Sequence, residues 1–140
     1  MSKKKLPSFE EFEAIVDRDL AVSEATAKSK SIEIPSLKIK YLGFRRTQKS
    51  EVNRLKNILD QKKSELLVQY RFKDKYQWDR KEQLEIRIEG DIVYQEALKD
   101  YNDNKDFLDY IDGVLDTINR ISFNIANYVK LKGMDNGDEY

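Results

Sequence analysis

The chain has no cysteine and no histidine among its 140 residues. The first absence excludes disulfides and thiolate metal sites. The second removes the commonest general base and the commonest transition-metal ligand. Proline occurs only twice and glycine five times, so little in the chain interrupts a helix. No apolar run approaches the roughly 18 residues of a membrane span, and there is no glycine-rich phosphate loop. The opening MSKKKLPSF carries lysines with no apolar stretch behind them, so no secretory signal is expected there. The expected compartment is a reducing cytoplasm, and neither a cofactor nor a metal is expected.

Charge and apolar pattern dominate what is present. Charged residues make up 37% and hydrophobic residues 39%, a balance typical of long helices with one apolar stripe. The net charge is zero but unevenly placed. Residues 36–81 hold 14 basic and 5 acidic side chains, net +9, and residues 82–140 hold 6 and 14, net −8. Such asymmetry points to a polyanion partner for the basic part, or to mutual attraction between the two parts.

The segment from Asp106 to Leu131 carries three apolar lines read in sevens. They are Leu108, Leu115 and Val129, with Ser122 between; Ile111, Ile118 and Ile125; and Phe107, Val114, Ile121 and Tyr128. A two-stranded coiled coil needs only two lines, so a third suits a bundle or a ring of several copies. The expected oligomerisation set is Leu108, Ile111, Leu115, Ile118, Ile121, Ile125 and Val129. The opposite face holds Asp109, Asp112, Asp116, Asn119 and Lys130 and stays wet, and Gly133 is placed to end the helix.

The expected fold class is all-α: long amphipathic helices in a helical hairpin or bundle, forming one domain over 1–133, with the C-terminal helix assembling a homo-oligomer. Ser8-Phe9-Glu10-Glu11 reads as a capping box for a short helix over 8–19. Residues 20–31 read as a weak helix or linker, and Ile32 to Pro35 as extended, since Pro35 disfavours helix at Ile34. Ser36 is then the expected cap of a basic helix over 36–76, roughly 60 Å long if unbroken. Over 82–101 the reading divides. Leu84, Ile86 and Ile88 alternate as a strand would, but Leu84, Ile88 and Ile92 share four-residue spacing. A helix broken near Gly90 is preferred to a hairpin. Asn102 to Asn104 offer caps for a last helix over 105–132, and 134–140 read as a disordered acidic tail.

The strongest functional candidate is the window KKSELLVQYRFKDKYQWDRK. Lys62, Lys63, Arg71, Lys73, Lys75, Arg80 and Lys81 alternate there with Tyr70, Phe72, Tyr76 and Trp78. Cations neutralise phosphates, and flat rings stack unpaired bases at about 1–3 kcal/mol each. The candidate DNA contacts are those seven cations with Tyr70, Tyr76 and Trp78. The competing view packs the rings against a neighbouring helix and leaves the lysines solvated. Lys38, Lys40, Arg45, Arg46 and Lys49 form a second basic stripe, best read as a wet helix face. The carboxylates Asp109, Asp112 and Asp116 lack the sheltered pocket that a metal nuclease needs, so no enzymatic activity is expected.

Three stretches taken together carry a resemblance: residues 34–42 (IPSLKIKYL) with the lysine-rich helix after them, Ile88-Glu89-Gly90-Asp91-Ile92, and residues 108–118 (LDYIDGVLDTI). In order and spacing they resemble the UvsY family of recombination mediators from T-even-type phages. The resemblance implies a non-enzymatic protein in the cytoplasm of an infected bacterium. It would bind single-stranded DNA, form ring-like homo-oligomers, and help a RecA-like recombinase replace the phage single-strand binding protein. The family's basic pair after the leucines of the second helix is missing here, where Leu66-Leu67 is followed by Val68 and Gln69. The alternatives are a coiled-coil scaffold that never touches DNA, or a subunit serving one protein partner.

Overall fold

A computed structural model describes residues 6–23, 25–73 and 81–135, with side chains at 72–73, 81–82 and 132–135 outside the description. Every regular element among the described residues is helical: α1 (Phe9–Leu20), α2 (Ala27–Val68), a π-helical turn (Gln69–Lys73), α3 (Lys81–Glu89) and α4 (Ile92–Asp135). The expected all-α class holds. Contacts group into two compact units, one of residues 1–47 and 109–140, the other of residues 48–108.

In the first unit, Ser8 is the N-cap of α1. Ser8 Oγ accepts from the Glu11 amide at 3.3 Å, and the Ser8 carbonyl accepts from the Phe12 amide at 2.8 Å. Phe12 is fully buried. Its ring meets Tyr41, Phe44 and Tyr110 edge-on, with centroids 5.9, 5.2 and 5.9 Å away. That is the geometry aromatic quadrupoles favour. The far end of α1 is tied to α2 through Asp19. Its Oδ2 accepts from Lys40 Nζ at 2.6 Å and from the Tyr41 hydroxyl at 2.9 Å, while its carbonyl accepts from Lys30 Nζ at 2.7 Å.

The second helix starts nine residues earlier than the sequence suggests. Thr26 leads into it: its carbonyl accepts from the Lys30 amide at 2.8 Å. Pro35 therefore lies inside α2, not before it. A helical proline costs roughly 3 kcal/mol through its missing amide and its ring. Helix here buries Ala27, Ile34 and Leu37, each under 9% exposed, on the side that also carries Tyr41. Two large aliphatic side chains at about 1.5–3 kcal/mol each are enough to offset the proline. The extended reading weighed the local steric penalty and could not see this burial.

In the second unit, Leu66, Tyr70, Leu84 and Ile88 form a core with Leu67 and Tyr94 against it. The four-residue spacing prevails over the alternation, since Ile88 is fully buried and Ile86 is 69% exposed. The helix does break near Gly90. Asp91 then caps α4, its Oδ1 accepting from the Val93 amide at 2.8 Å and its carbonyl from the Gln95 amide at 2.9 Å. Helix α4 runs on through 102–104, so no cap stands there, and it passes Gly133 as far as Asp135; the tail read as disordered lies, from residue 136 on, outside the described residues. Asn104 serves instead as a pairing point inside the helix. The buried Gln48 donates to its carbonyl at 2.9 Å and to its Oδ1 at 3.0 Å.

The apolar lines of α4 need a correction. Ile111 and Ile118 are fully buried and Ile125 nearly so, all within one chain. The middle line is core, covered by the chain itself and not free for a sister copy. Leu108, Leu115 and Ile121 are half-buried, and Val129 keeps half its surface exposed.

Two measurements test this packing. Phe12→Ala should cost about 3–5 kcal/mol in urea unfolding, as truncation of a fully buried ring does. Burial alone would raise the Asp19 carboxyl, but the bonds from Lys40 and Tyr41 and the nearby charges of Lys40 and Arg18 outweigh it and hold the carboxyl below its ordinary range. Its stabilising contribution is full above the unfolded value of about 3.9 and drains away as pH falls through the folded one. Asp19→Asn should therefore lower the Tm at pH 7, with the gap closing below about pH 4.

Candidate nucleic-acid interface

Helix α2 has two unlike faces. Its inner face buries Ile34, Leu37, Tyr41, Gln48, Val52, Leu55, Leu59 and Leu66. Its outer face starts apolar, with Ile32, Ile39 and Leu42 at 75, 72 and 50% exposure. In the second unit its exposed positions include Lys49, Lys56 and Lys63. The three lysines repeat every seven residues, which is two helical turns and about 10.5 Å per step. They stand on one side, clear of the core.

Pairing separates the cations. Lys40 is held by Asp19, and Arg45 Nε donates to Asp112 Oδ1 at 2.5 Å. Arg54 pairs with Glu51 at 2.5 Å and Lys62 with Glu65 at 3.6 Å. Among the described residues, no acidic partner within 4 Å engages Arg46, Lys49, Lys56, Lys63 or Arg71. Those side chains are open to a polyanion, whereas Lys40 and Arg45 already serve the fold.

The sequence-based candidates divide accordingly. Lys63 and Arg71 are exposed, and Lys62 is half-buried beside Glu65. Tyr70 departs from its expected place. It is 4% exposed, its hydroxyl donates to Asp91 Oδ2, and the Arg87 guanidinium carbon lies 4.5 Å from its ring centroid. A ring enclosed in this way has no face left for a base, so Tyr70 is withdrawn from the stacking set. Lys73 closes the π-helical turn and Lys81 opens α3, with their side chains outside the description. Lys75, Tyr76, Trp78 and Arg80 lie outside the described residues.

Sequence reasoning missed the line through Lys49, Lys56 and Lys63. It counted Lys49 in one stripe and Lys63 in another. The shared seven-residue period was the available signal. The acidic trio of α4 also has a use not expected: Asp112 is the partner of Arg45. Among the described residues no group of His, Cys, Asp or Glu side chains could hold a metal ion, and no helix is long and apolar enough to cross a membrane.

A protein-family model described as "Recombination, repair and ssDNA binding protein UvsY" matches residues 15–138. The chain belongs to the UvsY family. Crystal structures of the bacteriophage T4 recombination mediator protein UvsY are similar to it in fold. The lattice type II structure gives a TM-score of 0.82 at 16% identity, over 93% of this chain and 98% of that one. Lattice type IV gives 0.82 at 16% identity, over 92% and 99%. Lattice type I gives 0.77 at 15% identity, over 89% and 98%. No curated protein matches the sequence. At such identities the likeness to T4 UvsY is one of fold, and the contact residues must be argued from this chain.

The lysine line supplies its own test. The triple variant Lys49→Gln, Lys56→Gln, Lys63→Gln should keep its helicity, because none of the three is packed. With an unpaired oligonucleotide, its slope of log affinity against log salt should fall by about 2, at about 0.7 for each phosphate that is no longer neutralised.

Proposed function

We propose that this chain is a recombination mediator that binds single-stranded DNA and acts by scaffolding, without catalysis. The observation that carries the reading is the open line of Lys49, Lys56 and Lys63, with Arg71 beyond it, in a UvsY-family chain. Evenly spaced lysines grip a phosphate backbone without regard to base sequence, as a mediator on arbitrary DNA must. Lys62 adds a weakly paired cation, and Lys73, Lys75, Arg80 and Lys81 add charge where α2 gives way to α3. Tyr76 and Trp78 are the stacking candidates of that stretch.

In this reading the protein helps a RecA-like phage recombinase onto the strand and loosens the resident phage single-strand binding protein, in the cytoplasm of an infected bacterium. Copies of the chain act together. The exposed Ile32, Ile39 and Leu42 of α2, with Phe123, Val129 and Leu131 of α4 at 68, 50 and 60% exposure, favour self-association. Leu108, Leu115 and Ile121 have apolar surface left to contribute. Several weak cationic sites on one assembly gain avidity for a single strand.

The same exposed aliphatics favour one other reading, a scaffold that assembles but never touches DNA. Fluorescence anisotropy with an unpaired oligonucleotide separates the two. The mediator binds tightly at low salt and loses affinity steeply as salt rises; absence of binding at low salt overturns it. A mediator should also shorten the lag of recombinase ATP hydrolysis on strands coated with the single-strand binding protein.

A further inference from the structure

The lysine line advances in sevens from Lys49 to Lys56 to Lys63, and the next step is Tyr70. At that step the helix changes. It passes from α to π geometry over Gln69–Lys73, and Tyr70 turns into the core among Leu66, Leu84 and Ile88. Arg71, next in sequence, is exposed. Single π-helical turns are rare and concentrate at functional sites.

Contacts of Tyr70 hold this turn. The Tyr70 hydroxyl donates to Asp91 Oδ2, Arg87 covers the ring, and apolar neighbours pack its edge. Asp91 is doubly engaged, because its other oxygen caps α4 through the Val93 amide. One carboxylate thus ties the end of α2 to the start of α4. A tyrosine put here only to fill space would need no hydroxyl, and phenylalanine would pack without the need for a buried polar partner. The bond to Tyr70 is also the first cause of the depressed Asp91 carboxyl.

We infer that Tyr70 is a positioning residue of the DNA surface: its bond to Asp91 holds the π-helical turn so that Arg71 extends the line of Lys49, Lys56 and Lys63. The inference rests on the single-strand binding reading above. Tyr70 touches no phosphate itself and acts through Arg71. Without the tether the turn relaxes, and Arg71 no longer stands in a fixed place relative to the lysines.

The test is a double-mutant cycle in the full-length chain, read by anisotropy with an unpaired oligonucleotide across salt. Tyr70→Phe keeps the ring and removes the hydroxyl. It should leave helicity unchanged, weaken binding about fivefold, and lower the salt slope by about 0.7, the share of one phosphate. Arg71→Gln should do the same. The double variant should be no weaker than either single one, because both changes release the same phosphate. A merely structural Tyr70 would lower the Tm and leave the slope unchanged. Asp91→Asn keeps one oxygen for the Val93 amide and sets its NH2 opposite the Tyr70 hydroxyl, which can accept from it; it should therefore bind better than Tyr70→Phe, and it provides a second variant should Tyr70→Phe fold poorly. Wild-type affinity and slope in Tyr70→Phe, or additive losses in the double variant, would overturn the inference while the binding reading stands. A wild-type chain that ignores single strands would overturn that reading and the inference with it.

Discussion

A helix of 42 residues has more surface than one partner can cover, and the chain's central constraint is which side of α2 it buries. The inner side goes to aliphatic and aromatic contacts, closed around Phe12, Tyr41 and Phe44 in one unit and around Leu66 and Tyr70 in the other. Burial of this kind is the main favourable term in folding. Once it is fixed, every other position on α2 follows from helical geometry. Ile32, Ile39 and Leu42 are left facing outward, and so are Lys49, Lys56 and Lys63.

Polar contacts within this frame specify more than they stabilise. Gln48 is buried, yet its side-chain amide donates twice to Asn104, so it rewards one alignment of α2 against α4 and penalises slippage. Asp19 plays a similar part between α1 and α2, gathering Lys40 and Tyr41 on one oxygen. Arg45 and Asp112 form a third such pair, half exposed and therefore weak in energy, but directional. These pairs also sort the basic residues. A cation engaged by the fold is a poor ligand for phosphate, and one without a carboxylate partner is available. Composition alone counts both kinds alike.

Periodicity was a dependable guide wherever a long helix had one face to bury. The break near Gly90, the cap at Ser8 and the all-helical class could each be read from residue order, because each depends on neighbours within about four positions. The failures share a cause. Pro35 looked like a boundary because its penalty is local, whereas Ile34 and Leu37 are compensated by residues far along the chain. Asn102 to Asn104 looked like a cap because such residues often cap helices, whereas here Asn104 meets Gln48 from 56 positions away. Tyr70 looked like a stacking platform because it sits among cations, whereas its hydroxyl and ring are already taken by Asp91 and Arg87.

Residue order by itself determined the helical class, the absence of thiol, imidazole and membrane-span chemistry, and the concentration of positive charge before residue 82. These depend on which side chains exist and on short-range spacing, and no packing can change them. Only the tertiary structure decided that Ile111, Ile118 and Ile125 are core and not a free face, that Lys40 and Arg45 are engaged, and that Lys49, Lys56 and Lys63 are open. A helix repeats its faces without stating which of them its own chain will cover, and that is settled only when distant segments meet.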